Sequence, residues 1–453
     1  MKTIQEAARE TKVFRETDVV VVGGGPAGVA AAVAAARTGA KTILVERYGH
    51  LGGMSTGGLV ILIPFMSAGT EERQIAGICQ EFIDRLDTLG GALHTRNEET
   101  GSTDPEILSY WRRHGHGAFT AGGSVRYGTL VDPEMLKCVM NDMVEEADVK
   151  LLLHSWGSRA IAEDDKVRGM IFESKSGRQA ILSKITIDTT GDGDMFASAG
   201  AEFDGNLDRS VRSSNLALVF RIANVDSDKY VDFRDNEKEQ HSALMKELTD
   251  KGGLNTYWKS SHKDIWWCNN WIPNLSALDV EDLTYVEVSV RKQMLLSHRF
   301  LKKNVPGFKN SYIMDTASQV GTRASRRLTG EHVVTWDDVT SGIVHEDSIA
   351  VLPHLGMKVS DGYPLVHIPY RALLPRKIDN LIVAGRCFSS DIAANNALNW
   401  IQQCIPTGQA AGTAAALAIK EGITPKKVNP SALQASLSGQ GVPLPGVAIK
   451  SGS

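Results

Sequence analysis

A chain of 453 residues, 42% of them hydrophobic and 23% charged, is long enough to bury large cores and to make more than one domain. Its net charge of −4, with acids and bases interspersed, leaves no electrostatic footprint for nucleic acid. No apolar run approaches the ~18–20 residues of a membrane span, and the charged opening from Met1 to Glu16 lacks the apolar core of a secretory signal, so a cytoplasmic location is expected.

Met1 to Glu16 reads as a surface arm or short helix. From Asp18 the chain runs through four valines into Gly23-Gly24-Gly25-Pro26-Ala27-Gly28 and then an alanine-rich stretch. Consecutive valines predict a strand buried on both faces, as in the centre of a parallel sheet. Gly23, Gly25 and Gly28 occupy the three slots of G-x-G-x-x-G. The first permits a tight turn, the second lets backbone approach a pyrophosphate, and the third allows close helix–strand packing. A helix opening near Pro26 would point its free N–H groups at those phosphates. Lys41 to Glu46 supplies the next strand, with Glu46 placed to accept hydrogen bonds from a ribose. A strand–helix–strand unit closed by an acid predicts a dinucleotide site.

Further along, Val149–His154, Val167–Glu173 and Arg178–Leu182 read as short strands separated by turns at Asp164-Asp165 and Lys175–Gly177. A meander is expected there, ahead of the strand Lys184–Asp188 and a turn through Thr190, Gly191 and Asp192. Residues 379–386 form another apolar strand ending in Ala-Gly385-Arg386, followed by Asp391 and a small-residue helix expected to open at Thr407-Gly408-Gln409. The nucleotide core is therefore discontinuous, using residues 17–64, 131–221 and 376–422. Residues 65–130 and 222–375 are rich in Trp, Tyr, His and Asn and read as an inserted α+β cap, with a tail from 423 to 453. The five cysteines are scattered without C-x-x-C pairs, which argues against iron–sulfur ligation, structural zinc and a redox disulfide; no metal ligand set is expected.

The order of nucleotide loop, Thr-Gly turn and Ala-Gly-Arg plus helix resembles the two-dinucleotide-binding-domain flavoproteins, with their glutathione-reductase-like fold. Leu51-Gly-Gly53-Met54-Ser55-Thr56, Gly321 to Gly330 and Ile368-Pro-Tyr370-Arg371 are similar to the family named FAD-dependent oxidoreductase, a likeness covering about 17–441. That resemblance implies an α/β fold and FAD as cofactor. It implies that FAD is held by Gly23, Gly25, Pro26, Ala27, Gly28, Glu46, Arg47, Gly53, Met54, Ser55, Gly191, Asp192, Gly385, Arg386, Asp391, Thr407, Gly408 and Gln409. Arg386 has the alternative of an ion pair with Asp391, and Gly408 with Gly412 that of close packing alone. His50 follows the second strand, but its spacing to the glycines departs from covalent-flavin patterns, so non-covalent FAD is expected.

On the substrate side, Arg323 is a candidate carboxylate anchor or proton relay, in a run with Arg326 and Arg327 whose spacing would suit a helix with a solvated basic face. His367 is a candidate acid/base and Tyr370 a substrate contact, both on a short strand from 366 to 371. Asn395 and Asn399 stand where similar proteins tend to carry His and Arg. Neutral amides only donate and accept hydrogen bonds, which favours an uncharged, hydroxylated or aromatic substrate. With no second nucleotide fingerprint, no NAD(P)H domain is expected, and the electron partner is open. The reading is a hydride-transferring oxidoreductase acting on a small organic molecule, possible as a homo-oligomer. A non-redox flavoenzyme and an electron-transfer subunit are the alternatives.

Overall fold

The computed structural model describes residues 3–205, 215–353 and 364–448; residues 206–214 of the expected nucleotide core, 354–363 of the expected cap and the end of the tail lie outside them. Valines 19 to 22 are buried because both faces of their strand are covered, Val19 and Val21 entering one core and Val20 and Val22 another, while both of its edges are paired. Lys12–Val22 runs parallel to Thr42–Val45 on one side and to Gly177–Asp188 on the other. The strand starts at Lys12, so part of the expected N-terminal arm already belongs to the sheet. Lys150–Leu152 extends the sheet in parallel beyond Thr42–Val45 and takes no part in the meander. The meander is instead Trp156–Glu163, Lys166–Ser174 and Gly177–Asp188, paired antiparallel.

Gly177–Asp188 is long enough to serve two neighbours on one edge. Its first half pairs with Lys166–Ser174, and its last three residues pair in parallel with Leu381–Val383. Parallel strands thus bring three strand ends together, at Val22, Asp188 and Val383. Ligands in open α/β sheets bind in the crevice outside such carboxyl ends. The architecture is α/β and Rossmann-like.

Two helices back this sheet. Pro26–Arg37 buries Ala27 through Ala35, and Ile401–Glu421 crosses it at glycines. A Cβ at Gly408 would stand 2.1 Å from the Ala27 carbonyl oxygen, and one at Gly412 2.0 Å from that of Ala31. Only glycine lets the two backbones approach so closely.

Outside the sheet, Leu62–Ile63, Thr129–Val131 and Ala92–His94 form a small antiparallel sheet. A second antiparallel sheet runs in the order Tyr257–Lys259, Trp266–Cys268, Phe220–Ala223, Tyr312–Thr316, with the long helix Val280–Asn304 beside it. After Gly422, Pro430–Gly439 is a helix that buries Leu433 and Leu437, and Gln440 accepts a hydrogen bond from Gln409. No helix among the described residues is long and apolar enough to cross a membrane.

Candidate active site: a nucleotide cleft joined to an aromatic cavity

The three fingerprint glycines do different work. Gly23 has φ +103°, and a Cβ there would lie 2.5 Å from the Thr189 carbonyl oxygen; a Cβ at Gly28 would lie 1.8 Å from that of Gly23. Both are needed for the fold itself. At Gly25 a Cβ would meet nothing within 4 Å, because this residue faces an open cleft. Val22, Gly23, Gly25, Pro26, Ala27, Glu46, Arg47, Gly53, Met54, Thr189, Thr190, Gly191, Gly385 and Arg386 line it. The helix Pro26–Arg37 opens there without a side-chain cap, leaving its first N–H groups toward the cleft.

Glu46 closes the second strand as expected, but its carboxylate already serves the fold. Its Oε2 accepts from the Gly24 N–H at 2.6 Å and its Oε1 from the Tyr48 N–H at 2.8 Å. Burial lifts this carboxyl above its ordinary value, against the pull of the two N–H donors. Each oxygen keeps a lone pair for a ribose hydroxyl.

The Thr-Gly turn serves this same cleft. Thr189 Oγ1 donates to the Val22 and Gly23 carbonyls, tying the strand end at Asp188 to the first loop. Asp188 is fully buried and accepts from the N–H groups of Thr190, Met195 and Phe196 and from the Thr190 hydroxyl. Burial nevertheless pushes its carboxyl up to about 6. Asp192 accepts from Arg386 and from Ser325 Oγ, both at 2.6 Å. Burial would raise that carboxyl, but Arg386 and the Ser325 hydroxyl bring it below the usual range. Arg386 therefore pairs with Asp192, and the alternative pairing with Asp391 is not realised.

Several expected residues lie elsewhere. Asp391 caps the helix Ile392–Leu398, accepting from Ala394 N–H at 2.7 Å and Trp336 N–H at 2.9 Å. Ser55 is fully buried and donates to the Gly52 carbonyl. The helix expected to open at Thr407 begins at Ile401 and carries Pro406 inside it. Thr407 is thus interior, accepting from the Gly385 N–H; Gly408 is a helix-crossing residue, and Gln409 accepts from Ile78 N–H, away from the cleft. Ile401 and Cys404, at the true helix start, reach the cleft instead. Burial pushes the Cys404 thiol up to about 12, so it is no thiolate.

A second cavity adjoins the first, and Met54, Thr322, Asn399 and Ile401 line both. Four tryptophans, Trp258, Trp267, Trp271 and Trp400, dominate its walls, with Arg323 and His116 among them. The Arg323 guanidinium lies 5.0 Å from the Trp271 ring centre and 5.9 Å from that of Trp400. Arg323, Arg326 and Arg327 do not share a helix face: Gly321–Thr322 and Arg327–Leu328 are extended and paired to other strands. Nor are the later two solvated, since Arg326 bonds Asp194 and the buried Arg327 bonds Asp204. Asn399 donates to the Arg323 carbonyl and to Asn395 Oδ1, and the fully buried Asn395 donates to the Arg386 carbonyl. Asn395 is a brace between the two cavities' walls.

His367 and Tyr370 line neither cavity. Val366–Pro369 pairs with Ser348–Leu352, which carries His367 into a buried position, while the Tyr370 hydroxyl donates to the Pro425 carbonyl from the turn that follows the strand. Burial, then His345, lowers the His367 imidazole. His50 stacks on Tyr48 and contacts Ser318 Oγ at 3.1 Å, and it too is absent from the cleft lining.

Sequence reasoning missed His116 and Gln319. His116 accepts the Ala118 N–H on Nδ1, which places its proton on Nε2, and burial pushes its imidazole down to about 4. Its ring stands 4.4 Å from Trp258. No local motif marks it. Gln319, two residues before Gly321, lines the cleft with Oε1 buried and without a partner, as is the Arg386 Nε. Unpaired buried polar atoms around an open glycine cradle fit a polar dinucleotide.

A sequence profile of the family described as FAD dependent oxidoreductase matches residues 18–437. Dihydrolipoyl dehydrogenase of Trypanosoma brucei brucei is 58% identical over 41 residues, 9% of this chain and 9% of that one. Among solved structures, a geranylgeranyl bacteriochlorophyll reductase-like protein of Thermoplasma acidophilum superposes with TM-score 0.44 and 15% identity, over 94% of this chain and 83% of that chain. p-Nitrophenol 4-monooxygenase of Pseudomonas putida DLL-E4 gives 0.48 and 12%, over 94% and 85%. With the profile covering nearly its whole length, the chain belongs to the FAD dependent oxidoreductase family, and its cofactor is FAD.

Proposed function

We propose that the protein is an enzyme that moves a hydride between a small aromatic or hydroxylated organic substrate and FAD. The observation that carries this reading is the tryptophan-lined cavity opening into the nucleotide cleft at Met54, Thr322, Asn399 and Ile401. FAD, when bound, supplies an acceptor or donor of electron pairs at its ring system. Gly25 and the start of helix Pro26–Arg37 would hold the pyrophosphate, Glu46 a ribose, and Arg386 with Gln319 the polar middle of the cofactor.

The chain's own residues then orient the substrate. Tryptophan faces give a planar molecule a large contact area, and stacking adds about 0.5–1.5 kcal/mol per aromatic pair. Arg323, held over Trp271 and Trp400, would anchor an oxygen or carboxylate of the substrate. His116, neutral with its proton on Nε2, would donate a hydrogen bond rather than a full charge. The N-terminus of the helix Ile401–Glu421 stands where the cavities meet. Its dipole would stabilise negative charge there by roughly 0.3–1 kcal/mol, and up to ~2 when partly buried.

Anaerobic mixing of the yellow holoprotein with aromatic alcohols, amines and phenols tests the reading. Bleaching of the flavin absorbance by a member of this class is expected. Turnover of such a compound with no net redox change would replace the hydride reading with a non-redox one.

A further inference from the structure

Outside the lining of both cavities, the loop after Gly330, the short helix Trp336–Ser341 and the loop before Ser348 bring His332, Asp338 and His345 together. His332 Nε2 lies 3.4 Å from Asp338 Oδ2, and His345 Nε2 lies 3.4 Å from Asp338 Oδ1. The three ligand atoms fall within 4.8 Å of one another. Both Nε2 atoms are buried and make no hydrogen bond, and the His345 side chain is only 9% exposed. Two imidazole nitrogens are thus aimed at one carboxylate without the geometry of hydrogen bonds to it.

We propose that His332, Asp338 and His345 form a binding site for a divalent transition-metal ion, zinc foremost, through the two Nε2 atoms and the Asp338 carboxylate. In a tetrahedral zinc site with bonds of ~2.0–2.1 Å, neighbouring ligand atoms stand about 3.3–3.4 Å apart; each imidazole nitrogen here stands 3.4 Å from one Asp338 oxygen, and the whole set lies within 4.8 Å, close enough for small side-chain shifts to close it on an ion. Imidazole nitrogen with one carboxylate is a donor set that suits zinc better than magnesium or calcium. The carboxylate is already oriented: Asp338 Oδ2 accepts from the Thr335 N–H at 2.7 Å and from Thr335 Oγ1 at 3.0 Å. Such outer partners fix first-row metal ligands in place. The His332 N–H donates to the Arg371 carbonyl, and the His345 carbonyl accepts from Ser348 Oγ, so both ligand-bearing loops are tied to neighbouring backbone. Three ligands are found among the described residues, and tetrahedral zinc takes a fourth. Spacings of six and seven residues through a loop, a six-residue helix and another loop match no metal motif in the sequence.

The test uses the full-length, FAD-loaded protein, stripped with a chelator, desalted and titrated calorimetrically with zinc chloride. One ion per chain is expected. His332→Ala and His345→Ala should each weaken it at least tenfold while bound FAD stays at the wild-type level, and His241→Ala, in the helix Lys238–Asp250, should leave it unchanged. Wild-type protein that binds zinc no more tightly than the His332→Ala/His345→Ala double variant overturns the proposal. If the variants lose FAD or do not fold, cobalt(II) on wild-type protein decides. Intense visible bands of a tetrahedral site, displaced by one equivalent of zinc, support it, and the weak spectrum of an aquo ion overturns it.

Discussion

Gly25 and Gly28, three positions apart, serve different purposes, although the fingerprint treats them alike. Gly28→Val drives a side chain into the Gly23 carbonyl, so loss of soluble folded protein is expected. Gly25→Val meets only open cleft. It should fold with wild-type circular dichroism yet purify colourless, and a yellow Gly25→Val protein with full FAD content would contradict the assigned cradle. His116 offers a titration test. Its imidazole is pushed from an ordinary 6.5 down to about 4 by burial, so the unfolded chain binds the extra proton first. Its contribution to stability is complete above 6.5 and is lost as pH falls from 6.5 toward 4. Urea unfolding at pH 7 and pH 5 should show a steeper loss for wild type than for His116→Phe; equal losses would place the proton elsewhere.

At the scale of elements, the helix Ile401–Glu421 joins packing to function. Its glycines lie on Pro26–Arg37, and its first turn lies where the two cavities meet. Gly412→Val would push the two helices apart. Overpacking of this kind typically costs about 1–3 kcal/mol, and FAD content should fall with the melting temperature because the moved helix begins the nucleotide cradle. A variant with wild-type melting temperature would mean that the helices tolerate the wider spacing. The expected start of this helix at Thr407 failed for a specific reason. Pro406 reads as a first-turn residue, whereas the folded chain accommodates it in the sixth position. The Arg323–Arg327 run misled similarly: extended pairing with residues more than a hundred positions away overrode local spacing.

For the whole molecule, the sharing of one cleft by both nucleotide-type turns has a kinetic consequence. Thr189, Thr190 and Gly191 line the same cleft as Gly23 and Gly25, so they add no separate nicotinamide site. NADH and NADPH should reduce the flavin slowly in stopped flow, and reduction saturating at low micromolar NADH would show direct binding in the tryptophan cavity. Arg323→Ala should lower kcat/KM at least tenfold with FAD content near wild type, since its guanidinium stands in that cavity. His367→Ala should change turnover less than tenfold, because His367 lines neither cavity; a larger loss with intact FAD would restore it as an acid/base candidate.

Short-range constraints were legible in the residues themselves. Four valines between paired edges, a glycine at each forced approach and an acid at the second strand end are read from spacing, because the strand–helix–strand unit is closed within about 30 residues. The aromatic wealth of the inserted segments was equally visible as composition. Which of those aromatics share a cavity was not, since Trp258, Trp271 and Trp400 meet only when the second sheet and the last long helix come together. The same holds for Arg386 with Asp192, 194 residues apart, and for His332, Asp338 and His345, whose approach depends on two loops held by neighbouring backbone. Local sequence carries the period and the turn chemistry, whereas the partners of a buried charge are chosen by packing over the whole chain.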